Sequence, residues 1–126
     1  MILTQISTDR APAAIGPYSQ AILAGNTLYC SGQIPLHPET GVMVEGGIEE
    51  QTVQVMENLS QVLAAAGFGL DMVVKTTIYL EDLENFSVVN ETYGKYFTGT
   101  APARATVQVA ALPKGALVEI DAVAVK

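Results

Sequence analysis

The chain has 126 residues, 49% hydrophobic and 15% charged, with thirteen acidic against six basic residues and a net charge of −7. That length predicts one domain over residues 1–126 around a single core, and the apolar content excludes a disordered chain. The six cations are scattered, which argues against a nucleic-acid binder drawing its affinity from Lys and Arg on phosphates.

So low a charge is unusual for a small monomer, and part of the apolar surface is expected to meet another subunit. No apolar run is long enough to span a membrane, and the first residues, MILTQISTDRAPAA, lack the basic-then-apolar pattern of a secretory signal. Cys30 is the single cysteine, so no intrachain disulfide forms. The cytoplasm, or the matrix of an organelle, is the compartment that fits.

A first strand is expected near Ile2 to Gln5. AILAGNTLYCSGQ (21–33) holds two apolar runs around Gly25-Asn26 and reads as a β-hairpin. PLHPETGVMVEGG (35–47), with two prolines and three glycines, reads as loop. From Ile48 to Ala66 the pattern turns helical. Ile48, Thr52, Val55, Leu59, Val62 and Ala66 recur at three or four residues, and Gly67 is the stop signal. MVVKTTIYL (72–80) is β-branched and reads as a strand. Asp82 is the expected N-cap of a second helix with the stripe Phe86, Val89, Tyr93 and Tyr96 or Phe97. Two strands follow, Ala103 to Val109 and Leu117 to Val125, joined by a Leu-Pro-Lys-Gly turn.

The order is β-β-β-α-β-α-β-β, which predicts an α+β sandwich with two helices on one face of a mixed sheet. In the last strand Val118, Ile120, Ala122 and Ala124 should meet the helices. Leu117, Glu119, Asp121, Val123 and Val125 point the other way. That second face is half apolar, which favours a subunit interface over a wall facing water.

Arg104 is the one charge between Lys95 and Lys114. A guanidinium keeps its proton at every physiological pH and needs an anionic partner. If the Leu-Pro-Lys-Gly turn makes the last two strands neighbours, Arg104 and Glu119 share a sheet face. They would then form either a plain cross-sheet salt bridge or a site in which Arg104 takes a substrate carboxylate and Glu119 holds a water. Tyr18, in IGPYSQA, is placed to cap a pocket with ring and hydroxyl. Ser31 and Gly32, in YCSGQIP, sit at a strand end, where a hydroxyl and a bare N–H can meet a ligand. Asn90 lies beside the apolar stripe of the second helix. Each also has an ordinary structural reading, as surface packing, strand terminator or solvated helix residue. Cys30 reads as a buried thiol without a base to activate it. His37 reads as a solvated loop histidine, and one histidine makes no multi-histidine metal site. EGGIEEQ lacks the spacing and lysine of a phosphate loop. With no dinucleotide fingerprint and no metal cluster in the sequence, no cofactor is expected.

IGPYSQA, YCSGQIP, NFSVVNETYGKYF and PARATVQVAALPKGALVEIDAVAV together resemble the RidA (YjgF/YER057c/UK114) family, and the likeness runs over nearly the whole chain. The resemblance implies a chorismate-mutase-like α+β sandwich. It implies a homotrimer with the sheets forming a central barrel and ligand sites in the clefts between subunits. It implies hydrolytic deamination of reactive enamines and imines, such as 2-aminoacrylate and 2-aminocrotonate, to 2-oxo acids and ammonia. By position, Arg104 resembles the family's carboxylate-binding arginine and Glu119 the carboxylate that positions water. Tyr18, Ser31, Gly32, Asn90 and Thr106 fall in the pocket. Thr106 stands where the family often has cysteine, and Asp121 where glutamate is common. Two other readings stand beside this one, the first of them sharing these residues. One is a module that binds or senses a 2-oxo acid without turnover. The other is an interaction protein, since some relatives are described as translation inhibitors with ribonuclease activity or as chaperones.

Overall fold

A computed structural model describes residues 2–126. Six strands and two helices follow the expected order: β1 (Leu3–Ile6), β2 (Ala21–Ala24), β3 (Thr27–Gln33), α1 (Ile48–Ala65), β4 (Val73–Leu80), α2 (Phe86–Gly94), β5 (Ala103–Gln108) and β6 (Val118–Val125). They form one mixed sheet in the order β1-β2-β3-β6-β4-β5. Only β4 and β5 run parallel; the other pairs are antiparallel. Parallel neighbours need a crossover, and α2 supplies it.

Local chemistry explains the turns. Gly25 (φ 62) opens the two-residue loop between β2 and β3, at the position where a type II′ turn places glycine. Glu50 accepts a 2.7 Å hydrogen bond from the Gly47 N–H, and with Glu49 it puts negative charge on the first turn of α1. Gly67 (φ 78) follows the end of that helix. Asp82 caps a short 3₁₀ turn, Leu83–Asn85, rather than α2 itself, accepting from the Glu84 N–H at 2.9 Å. α2 ends at Gly94, so Tyr96 and Phe97 pack on the core from beyond the helix.

Both helices lie on one face of the sheet. Val55, Met56, Leu59, Val62 and Leu63 of α1 pack with Leu28, Ile78, Leu80, Val118 and Ile120 of the strands, all essentially inaccessible to water. The alternation expected in the last strand is observed: Val118, Ile120, Ala122 and Ala124 are buried. The opposite sheet face is open. It carries Tyr29 (54% exposed), Val107 and Val125 beside Tyr79, Glu119, Asp121 and Val123. No helix of the described residues is long and apolar enough to cross a membrane.

One expectation is corrected. β5 and β6 are not neighbours, because β4 lies between them. The Leu-Pro-Lys-Gly segment does not close a hairpin. It forms a 3₁₀ turn over Pro113–Gly115, with Lys114 (φ 58) and Gly115 (φ 72) both left-handed, and sends the chain across to the centre of the sheet.

Candidate functional site

Register decides which polar side chains can meet. Arg104 pairs with Thr76, which pairs with Ala122, so all three face the helices. Glu119 pairs with Tyr79, three residues along β4 and therefore on the other face. Within one chain the sheet separates Arg104 from Glu119, and a cross-sheet salt bridge between them is excluded.

Glu119 lines a cavity of about 530 Å³ with Tyr18, Ser31, Gly32, Gln20 and Lys114. Pro12, Ile15, Ile34, Leu36 and Pro113 give it apolar walls. Its floor depends on Gly32. The β3–β6 register shifts between Cys30 and Gln33, and a Cβ on Gly32 would fall on the Glu119 carboxylate. The missing side chain is what admits the carboxylate. Burial, and secondarily the charge of Asp121, raise the Glu119 carboxyl above its ordinary value. The Ser31 hydroxyl donates to the Ser19 carbonyl at 2.5 Å, and the Ser31 N–H to the Gln20 carbonyl at 2.9 Å, which fixes this strand end against the wall. Buried Gln20 ties that wall down. Its amide donates to the carbonyls of Thr8 (3.0 Å) and Pro12 (2.8 Å) and accepts from the Thr8 N–H (2.7 Å). Tyr18 stands at the mouth, half exposed, its hydroxyl taking the Ile15 N–H at 3.4 Å.

Arg104 belongs to a second cluster on the helix side. Its Nη1 donates to Asn90 Oδ1 at 2.8 Å. Its guanidinium carbon lies 5.6 Å from the ring centre of Phe86 and 5.3 Å from that of Tyr93. The Tyr93 hydroxyl is itself fixed, 2.8 Å from buried Thr76 Oγ1. Among the described residues, none of the groups that hold Arg104 is an anion. Two residues along the same face, Thr106 Oγ1 is buried and makes no hydrogen bond among the described residues.

The sequence-derived candidates thus divide into two sets. Tyr18, Ser31, Gly32 and Glu119 come together at the cavity; Asn90, Arg104 and Thr106 come together around the guanidinium. Cys30 is buried, and burial with a smaller contribution from Asp121 pushes its thiol up to about 12, as an inert core residue requires. His37 is exposed in its loop. Sequence reasoning missed Phe86 and Tyr93 as partners of Arg104, although the spacing 86, 90, 93 puts both rings on one helix face with Asn90. It missed Gln20 and Lys114 as well. A glutamine's hydrogen-bond partners leave no local pattern to read, and the path of the Lys114 turn is set by long-range pairing.

The family described as Endoribonuclease L-PSP matches residues 8–126, almost the entire chain. The chain belongs to this family. Among its relatives within the family are Protein DfrA of Myxococcus xanthus, 59% identical over 95% of this chain and 93% of that protein. Another, 51% identical over all of this chain and 92% of the relative, is the Homo sapiens protein named 2-iminobutanoate/2-iminopropanoate deaminase. Crystal structures of RidA from the Antarctic bacterium Psychrobacter sp. PAMC 21119 (TM-score 0.94, 48% identity, 98% of this chain and 99% of that one) and of E. coli TdcF with bound serine (TM-score 0.94, 40% identity, 98% of each chain) have the same fold. In this member of the family, the two sets of polar side chains lie on opposite faces of one sheet.

Proposed function

We propose that the protein hydrolyses the imines of 2-amino acids, 2-iminopropanoate and 2-iminobutanoate among them, to 2-oxo acids and ammonia. We further propose that each site joins the Glu119 cavity of one copy to the Arg104 cluster of a second. The observation that carries this reading is a permanent cation held by an amide and two rings, with no anion beside it among the described residues. Relatives named for this activity at about half identity over nearly the full chain support it.

Arg104 anchors the substrate carboxylate. At ~4 Å and an effective dielectric near 20 the gross attraction is about 4 kcal/mol, reduced by desolvation. An anchor that binds substrate and transition state equally does not accelerate chemistry, so the rate comes from Glu119. The oxygen of a water held there bonds to the imine carbon, and the C=N π pair moves to nitrogen. The water's proton passes to Glu119 and on to that nitrogen. In the resulting carbinolamine the hydroxyl proton follows the same route, the C–N bond breaks, ammonia leaves and the C=O remains. A carboxylate raised above its ordinary value is better matched to accepting a proton near neutral pH. The Thr106 hydroxyl, unpartnered beside Arg104, can meet the bound substrate or its water.

Joining the two sets requires copies to pack through the open sheet face, and a trimeric barrel closed by that face is the assembly we propose. The family's ribonuclease name is not the better reading: thirteen acidic against six basic residues offer RNA phosphates little.

The test is pyruvate release from 2-aminoacrylate generated in situ by a serine lyase. Wild type should accelerate it and Arg104→Ala should not, with both proteins folded by circular dichroism. Near-full activity in Arg104→Ala would overturn the anchor role. No acceleration by wild type would overturn the enzyme reading.

A further inference from the structure

The cavity has a second charged group that the hydrolysis above leaves idle. Lys114 lines the same space as Glu119 and is the sole cation among its lining residues. It is also the one non-glycine residue at positive φ among the described residues, at φ 58 and ψ 21. That conformation costs an L-residue roughly 1–2 kcal/mol, and a glycine would adopt it without strain. What the position gains over glycine is the ammonium. Strain of this kind gathers at ligand clamps, where the surroundings hold it in place. Among the described residues the ammonium makes no close ion pair that would occupy it. Its contact is the Gly41 carbonyl at 3.4 Å, a long hydrogen bond to a neutral group. The cavity thus has the Glu119 carboxylate at its Gly32 floor and exposed Lys114 at its Pro113 edge, with apolar wall between them; from its contact with Gly41 the ammonium can swing over the cavity. Its volume, about 530 Å³, is that of sites for drug-sized ligands and exceeds what a four-carbon imino acid fills.

We propose that Lys114 is a specificity residue that receives an anionic group on the substrate's side chain, so that the site accepts imino acids bearing a second carboxylate as well as neutral ones. This rests on the imine-hydrolase reading. In it, Arg104 of the second copy takes the carboxylate next to the imine, Glu119 serves the imine carbon, and the side chain runs along the apolar wall toward Lys114. A four- or five-carbon acidic imino acid has the second carboxylate this arrangement needs.

The experiment compares two imines made in situ by amino-acid oxidases, one from alanine and one from aspartate or glutamate. Loss of each imine is followed by semicarbazide trapping, and the readout is the ratio of kcat/KM for the acidic imine to that for the neutral one. Lys114→Gln should lower this ratio about tenfold, the loss of one useful charge contact. Lys114→Arg should hold it within about threefold of wild type, because either cation can meet a carboxylate. A ratio unchanged in Lys114→Gln overturns the proposal, as does a wild-type protein that accelerates loss of the neutral imine and not of the acidic one. Equal losses on both imines also overturn it, since they would place Lys114 at the carboxylate every substrate shares. If wild type accelerates neither, the hydrolase reading fails first and the proposal falls with it.

Discussion

A Cβ on Gly32 would lie 2.8 Å from Glu119 Cδ and 3.1 Å from its Cγ, closer than the side chain tolerates without moving. The backbone at Gly32 is not left-handed, so alanine adds a clash and no torsional strain. Gly32→Ala should leave the fold intact and push the carboxylate off the water. Turnover is expected to fall by about 10²-fold, the scale on which a misplaced catalytic group acts, with little change in Tm. An unchanged kcat would mean that Glu119 does not serve the reaction. The raised Glu119 value gives a second test. A carboxyl raised in the folded state stabilises the fold at low pH, and that contribution is lost as pH climbs through the raised value. Above it, Glu119 is ionised and able to accept a proton. The acid limb of the kcat/KM profile should therefore lie above the ordinary carboxylate range. Burial is the larger cause and Asp121 the smaller. Asp121→Asn should move the limb to lower pH without erasing it, and a limb that stays in place would assign that titration to another group.

At the scale of elements, most of the fold is legible because its signals are local. The α1 stripe, the Gly25-Asn26 hairpin and the alternation of β6 each follow from a period that neighbouring residues reveal. The place of β5 is not local. A six-residue strand between a helix and a turn can pair on either side. Its parallel seat beside β4 comes from the crossover through α2, which is itself packed on α1 and the sheet. The shared face read for Arg104 and Glu119 on the condition that β5 and β6 are neighbours falls with that condition: β4 lies between them, and the register puts the two residues on opposite faces. The residue types of the site could still be read. An isolated arginine in an apolar strand and a carboxylate two residues from another both stand out in sequence. How they are held could not: Gln20 ties down the segment behind Tyr18 by bonds that span up to twelve residues, and Asn58 does the same for the 34–36 wall through the carbonyls of Ile34 and Leu36.

At the scale of the whole molecule, the proposed trimer accounts together for the low charge, the open sheet face and the two separated polar clusters. Tyr29, Val107 and Val125 are exposed on a face that bears Glu119, while Arg104, with no anionic partner among the described residues, sits on the other side of the same sheet. In the proposed trimer, closing three sheets into a barrel would cover the first and bring the second to a neighbour's cavity. Complementation tests this directly. Arg104→Ala and Glu119→Ala should each form inactive trimers of normal size by light scattering. After the two are unfolded together in equal amounts and refolded, a site is whole when its Glu119 comes from the first variant and its Arg104 from the second. Random assembly in a cyclic trimer gives each condition a chance of one half, so roughly a quarter of the wild-type activity should return. If both groups of a site came from one chain, every site in every mixed trimer would lack one of them. Activity would then stay at the level of the parents at any mixing ratio.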